Sequence, residues 1–188
     1  MTSPCSPSQW PAFQIPAQMS IRSTDRVIVL GDGRLGNLCA QVLARLSNHV
    51  MVIGKHLQKL ALLQTLGIAT ALVSDPIDER SADIVVDCTG SETGLPTALR
   101  LVRPRGTIVL KTTVAGTQTL AWAPFVIDEV TLIGSRCGPF DRALEALERG
   151  EVSVAPLISE RYDLTKGLEA LERAQAKAVL KVLLNVSS

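Results

Sequence analysis

The stretch Val27-Ile28-Val29-Leu30-Gly31-Asp32-Gly33-Arg34-Leu35-Gly36 decides how the rest of the chain is read. Four consecutive apolar residues, three of them β-branched, suit a short strand buried on both faces. They run into glycines spaced G-x-G-x-x-G. Beyond these, Leu35, Leu38, Cys39, Val42, Leu43 and Leu46 recur at three- and four-residue steps, the pattern of a helix with one apolar face. In a strand–turn–helix of this kind each glycine has its own task. Gly31 permits the tight turn, Gly33 lets a pyrophosphate approach the backbone, and Gly36 lets the helix pack closely on the strand. The helix N-terminus adds free N–H groups and a partial positive charge. Gly31, Asp32, Gly33, Arg34, Leu35 and Gly36 are therefore the first candidate binding residues, for a dinucleotide.

Outward from this stretch, short apolar runs alternate with amphipathic ones. The runs are Val50–Ile53, Ala69–Val73, Ile84–Asp87, Thr107–Leu110 and Val130–Ile133. Helices are expected over Leu57–Leu66, over Glu92–Val102 with Ser91 as N-cap, and from Pro139 to the stop at Gly150. Pro104-Arg105-Gly106 is expected to turn the chain into the fifth run. The last part reads as strand (Leu157–Tyr162), helix (capped by Asp163, with Leu164, Leu168 and Leu171 on one face) and strand (Ala178–Val186). Repeated strand–helix units with fully apolar strands predict an α/β fold: a Rossmann-type doubly wound parallel sheet of about six strands, with helices on both faces. Residues 1–20 hold four of the ten prolines and no usable period, so they read as a tail or remnant, and residues 21–188 as the folded domain with a C-terminal strand-helix-strand extension.

The 188 residues, 46% hydrophobic and 20% charged, suit a globular domain. A net charge of +1 and 3% aromatics give no basic field and little to stack on bases, so nucleic acid is not an expected partner. No apolar run is long enough to span a membrane and no signal peptide is apparent, so a cytoplasmic location is expected. Cys5, Cys39, Cys88 and Cys137 are widely separated and read as reduced thiols. With His49 and His56 alone beside them, no zinc is expected in this chain.

The strand ends carry the remaining candidates. A fingerprint of this kind usually has an acidic residue about 20 positions on, to accept hydrogen bonds from the adenosine ribose. Here that place holds Gly54-Lys55-His56. Glycine removes a carboxylate that would repel a 2′-phosphate, and Lys55 and His56 can pair with one, which favours NADP over NAD. The same gap argues against S-adenosylmethionine. At later strand ends, Cys88, Thr89 and Gly90, and then Lys111 and Thr112, would lie beside the ligand, because an open α/β sheet binds across the carboxyl ends of its strands. Asp87 reads as a turn cap and Cys88 as a packing residue, since no histidine near it in sequence can activate it.

Taken together, Gly31–Gly36, Val85-Val86-Asp87-Cys88-Thr89-Gly90, Gly106-Thr107-Ile108-Val109-Leu110, Leu132-Ile133-Gly134-Ser135 and the C-terminal Leu164–Leu171 and Val179–Leu184 resemble the cofactor domain of zinc-type medium-chain alcohol dehydrogenases. The resemblance implies an oxidoreductase whose nicotinamide passes Gly134, Ser135 and Arg136, and a homodimer joined through the edge strand 130–133. It also implies an N-terminal catalytic domain carrying the zinc ligands, which this sequence does not match. The expectation is therefore a domain that binds NADP, or NAD, without being catalytically competent alone, and no catalytic residue is assigned. A stand-alone nucleotide-binding regulatory or docking module and a zinc-independent quinone or enone reductase remnant are the alternatives.

Overall fold

The computed structural model describes residues 11–114, 119–176 and 179–186. Two compact units divide the chain, the first extending to Val152 and the second beginning at Ser153.

In the first unit, α1 (Gln14–Gln18) precedes β1 (Arg26–Leu30), α2 (Arg34–Ala44), β2 (His49–Gly54), α3 (Leu57–Thr65), β3 (Ala69–Leu72), β4 (Ala82–Asp87), α4 (Gly94–Leu101), β5 (Val102–Leu110), α5 (Ala123–Ile127), β6 (Thr131–Gly134) and α6 (Phe140–Glu148). The six strands form one parallel sheet in the order β3-β2-β1-β4-β5-β6, with helices on both faces. The order reverses between β1 and β4, so connections leave the two strands in opposite directions and open a crevice at their carboxyl ends. The apolar strand sequences are explained by burial: Val27, Ile28 and Val29 of β1 and Val85 and Val86 of β4 are shut off from solvent. Each such side chain contributes about 1.5–3 kcal/mol relative to exposure.

Register aligns the strand ends. Leu30 pairs with Ile53 and with Asp87, Asp87 with Leu110, and Leu110 with Gly134. The next residues continue the ladder: the N–H groups of Gly31, Cys88, Lys111 and Ser135 donate to the carbonyls of Ile53, Leu30, Asp87 and Leu110. Neighbouring residues 23 to 57 positions apart in sequence thus stand in one row along the rim of the sheet.

Several local expectations shift. Residues 11–18, read as part of a tail, form a turn of 3-10 helix (Pro11–Phe13) followed by α1, and Ala12 and Ile15 are buried. Two apolar residues three apart suffice to seat one helical turn, too few for periodicity to stand out. Helix α4 begins at Gly94, after Thr93, and no side chain caps it. Pro104-Arg105-Gly106 falls within β5, whose register against β4 shifts between Ala82 and Ile84. Arg105 takes a left-handed φ of 62° and its N–H donates to Asp128 O. Cys39 and Cys88 are free thiols, and Cys5 lies outside the described residues.

The second unit holds a two-stranded parallel sheet of β7 (Glu160–Asp163) and β8 (Val182–Asn185), joined through α7 (Gly167–Ala174). Of the last expected strand, Ala178 lies outside the described residues. Leu164, Leu168 and Leu171 are exposed, and Ala170 is the buried residue of α7.

Candidate functional site

The glycine turn is built as its spacing demands. Gly31 has φ +110°, and a Cβ there would stand 2.9 Å from the Cys88 carbonyl oxygen. A Cβ at Gly36 would run into the main chain of Gly31, 2.9 Å from its carbonyl carbon and closer to its oxygen. Around Gly33, by contrast, a Cβ would meet nothing within 4 Å. Two glycines therefore close the strand onto the helix, and the third faces open space at the start of α2, where the first amides of the helix lack intrahelical acceptors.

That space is a cleft of about 380 Å³. It is lined by Gly31, Asp32 and Gly33 from the turn, by Gly54, Lys55, His56 and Lys59 from the end of β2 and α3, and by Cys88, Thr89, Ser91, Thr93, Gly94 and Thr97 from the end of β4 and α4. Of the residues singled out in the sequence, eight meet here. Gly36 serves packing beneath the cleft, and Arg34 and Leu35 open α2 beside it. A second group gathers at the ends of β5 and β6. The Gly90 N–H donates to Thr112 Oγ1 at 2.5 Å, and Lys111 Nζ donates to Ser135 Oγ at 2.9 Å and to the Arg136 carbonyl at 3.1 Å. Gly134 ends β6, and its carbonyl accepts from Gln18 Nε2.

Asp32 alters the picture at the end of β2. The residue is 8% exposed, its carboxylate accepts from the N–H groups of Lys55 (2.7 Å) and His56 (2.6 Å), and His56 Nδ1 lies 3.0 Å from the same oxygen. A Cβ at Gly54 would stand 2.6 Å from the Asp32 Cβ. The acidic group absent from the strand end is thus supplied from the glycine turn, and the small residue at 54 makes room for it. Sequence reading placed Asp32 in the turn without this contact. The available signal was the pairing of an acid at one position with a glycine at the other. Lys59, Ser91, Thr93, Gly94 and Thr97 were not foreseen as lining residues. Lys59, one helical turn beyond Lys55, and the small polar run before α4 are the signals they left.

Two groups are perturbed by their surroundings. The Cys88 thiol is pushed well above the ordinary thiol range by its hydrogen bond with Cys39, 3.9 Å away, and by burial, which suits a packing residue and not a nucleophile. Burial lowers the pKa of the Lys111 ammonium. Asp87 is fully buried and caps its turn, Oδ1 accepting from the N–H (2.9 Å) and hydroxyl (2.8 Å) of Thr89. Among the described residues no group of three or more His, Cys, Asp or Glu could hold a metal ion, and no helix is long and apolar enough to cross a membrane.

A crevice at the strand-order reversal, with a glycine turn and a helix N-terminus at its centre, defines a domain of the Rossmann-like dinucleotide-binding class. Residues 35–151 match the family model described as zinc-binding dehydrogenase, and the chain belongs to that family. A D-arabitol-phosphate dehydrogenase of Enterococcus avium is 25% identical over 176 residues, covering 85% of this chain and 50% of that protein. Among solved structures, a zinc-binding dehydrogenase of Sinorhizobium meliloti 1021 bound to NADP matches with TM-score 0.83 and 21% identity, over 94% of this chain and 57% of that one. A protein described as a short chain alcohol dehydrogenase of E. coli CFT073, complexed with NADH, matches with TM-score 0.79 and 20% identity, over 91% and 55%. The chain spans about half the length of the curated relatives it matches.

Proposed function

We propose that this chain is the nicotinamide-dinucleotide-binding domain of a polyol or alcohol dehydrogenase-like oxidoreductase, and that it favours NADP over NAD. The observation that carries the reading is the open space at Gly33, set between two glycines that permit no side chain and in front of the α2 N-terminus. This is a cradle for a pyrophosphate, whose charge the helix end and its amides favour. The adenosine end would lie over Gly54, Lys55 and Lys59, and the nicotinamide end over Cys88, Thr89, Lys111, Thr112, Ser135 and Arg136. When bound, the dinucleotide supplies the hydride acceptor or donor. The chain's own residues bind and orient it.

NADP is favoured because Lys55 and Lys59 both line the cleft and, among the described residues, neither pairs with a carboxylate, while the charge of Asp32 is engaged by two amides and an imidazole. Asp32 also supports a second reading, NAD, since a ribose hydroxyl could donate to its remaining acceptor capacity. Fluorescence titration separates the two. With NADP favoured, Lys55→Ala and Lys59→Ala each weaken NADPH several-fold and leave NADH unchanged. Tighter NADH binding, indifferent to both changes, would instead establish the second reading. Binding of neither dinucleotide below about millimolar concentration would overturn the cofactor assignment.

The chain alone is proposed to bind cofactor without oxidising alcohols, since the described residues offer no set of three metal ligands. Turnover of a polyol by the purified chain would refute this. A homodimer through β6 is also proposed. Among the described residues that strand is the sheet edge, pairing with β5 alone, and it exposes Leu132. Light scattering on the chain and on Leu132→Lys tests it, and a monomeric wild type would exclude it.

A further inference from the structure

We infer that Lys111 makes this site distinguish the two redox states of a bound nicotinamide, favouring the neutral dihydronicotinamide over the cationic oxidised ring. The inference rests on the dinucleotide reading above. Lys111 stands one residue beyond β5, in the row Gly31, Cys88, Lys111, Ser135 that extends the sheet at its carboxyl rim. It is 8% exposed. Two of its donors are taken by neutral acceptors, Ser135 Oγ and the Arg136 carbonyl, and among the described residues no carboxylate forms an ion pair with it. Hydroxyl and carbonyl oxygens are partners an ammonium can donate to without being neutralised.

The buried carboxylate of the neighbouring strand does not offset this charge. Asp87 pairs with Leu110 in the register, so its side chain and that of Lys111 fall on opposite faces of the sheet. Asp87 lies against Gly94 at the start of α4, where its Oδ1 would be 2.5 Å from a Cβ. Lys111 shares its face with the thiols of Cys39 and Cys88, and the Cys88 thiol is held well above the ordinary thiol range by its hydrogen bond with Cys39 and by burial, so it supplies no negative charge. A cation without a carboxylate partner among the described residues is therefore fixed at the carboxyl rim of the sheet, beside Ser135.

Sheet order says which end of the ligand meets it. With the pyrophosphate at the glycine turn and the adenosine end toward Gly54 and Lys59, the nicotinamide end extends over the ends of β4, β5 and β6. The oxidised ring carries a unit positive charge that the reduced ring lacks. At an effective dielectric near 20, two unit charges within about 10 Å repel strongly enough to change a binding constant roughly tenfold. Water cannot screen the pair well at a buried ammonium.

The test measures dissociation constants of NADH, NAD+, NADPH and NADP+ by calorimetric titration of the full chain, expressed as the ratio of oxidised to reduced form. Wild type is compared with Lys111→Met and with Lys111→Gln, which keeps an amide donor for Ser135 and the Arg136 carbonyl without the charge. The wild-type ratio is expected to reach about tenfold. Both variants should lower it by about that factor, mainly by tightening the oxidised form. A wild-type ratio near one, or a ratio unchanged in a Lys111→Gln chain with wild-type circular dichroism, overturns the inference while leaving the cofactor reading standing. Failure of all four dinucleotides to bind overturns that reading, and this inference with it.

Discussion

Alanine at Gly33 and alanine at Gly36 should damage this protein in different ways, because the two glycines face different surroundings. At Gly33 the backbone (φ −75°, ψ −179°) is open to any residue, and the added methyl meets nothing within 4 Å. Folding stability should stay within about 0.5 kcal/mol of wild type. The methyl would nonetheless stand where phosphate oxygens approach the first amides of α2. Losing one charge-assisted hydrogen bond, worth about 1.5–3 kcal/mol, raises the NADPH dissociation constant roughly tenfold to a hundredfold. At Gly36 the methyl would collide with the Gly31 carbonyl, main-chain atoms that cannot rotate aside, at an overpacking cost of about 1–3 kcal/mol. Helix propensity returns at most about 1 kcal/mol. For a chain of this size the net cost lowers Tm by roughly 2–8 °C. Thermal unfolding followed by circular dichroism, alongside NADPH titration, reads both effects. The reasoning fails if Gly33→Ala binds NADPH like wild type, or if it lowers Tm as far as Gly36→Ala does.

Asp32→Ala strips the acceptor from the Lys55 and His56 amides and should cost roughly 2–4 kcal/mol, while Asp32→Asn, which keeps one acceptor oxygen, costs less. Equal Tm values for the two variants would show that the carboxylate does not anchor the β2–α3 turn. A pH effect is expected at Asp83. Burial would raise its pKa, but the Arg26 N–H and the Arg103 guanidinium, each at 2.7 Å, outweigh burial and hold it below the ordinary 3.8. A carboxyl with a lowered native pKa adds stability above its unfolded value and loses it as pH falls through the native one. Urea unfolding should therefore show stability falling below about pH 4, with that acid limb flattened in Asp83→Asn. A limb of unchanged steepness in the variant would assign the acid sensitivity to other groups.

Much of the architecture was legible because it is written in local pattern. A parallel strand buried on both faces has to be apolar throughout, so Val27–Leu30 and Ile84–Asp87 stood out, and β2 and α3 fell within a residue or two of their expected ranges. Elements whose stability comes from a few long-range contacts were harder to see. The turn at residues 11–13 and α1 are seated by the buried Ala12 and Ile15 and by the bond from Gln18 to the Gly134 carbonyl, and the start of β5 is set by pairing with β4, with Arg105 bonded to Asp128, and not by its own Pro and Gly. The leucines of α7 showed that helical spacing announces an apolar face without saying what covers it.

For the site, the sequence by itself determined the glycine turn, since its task is mechanical and confined to six neighbouring residues. Tertiary structure decided what the turn faces. Strand order and register brought Gly31, Cys88, Lys111 and Ser135 into one row, and placed the Asp32 carboxylate against Gly54, 22 positions away, where an acid at the strand end had been missed. Charge and space at a site depend on which chain segments meet there, and that is fixed only when the sheet closes its ladder of hydrogen bonds.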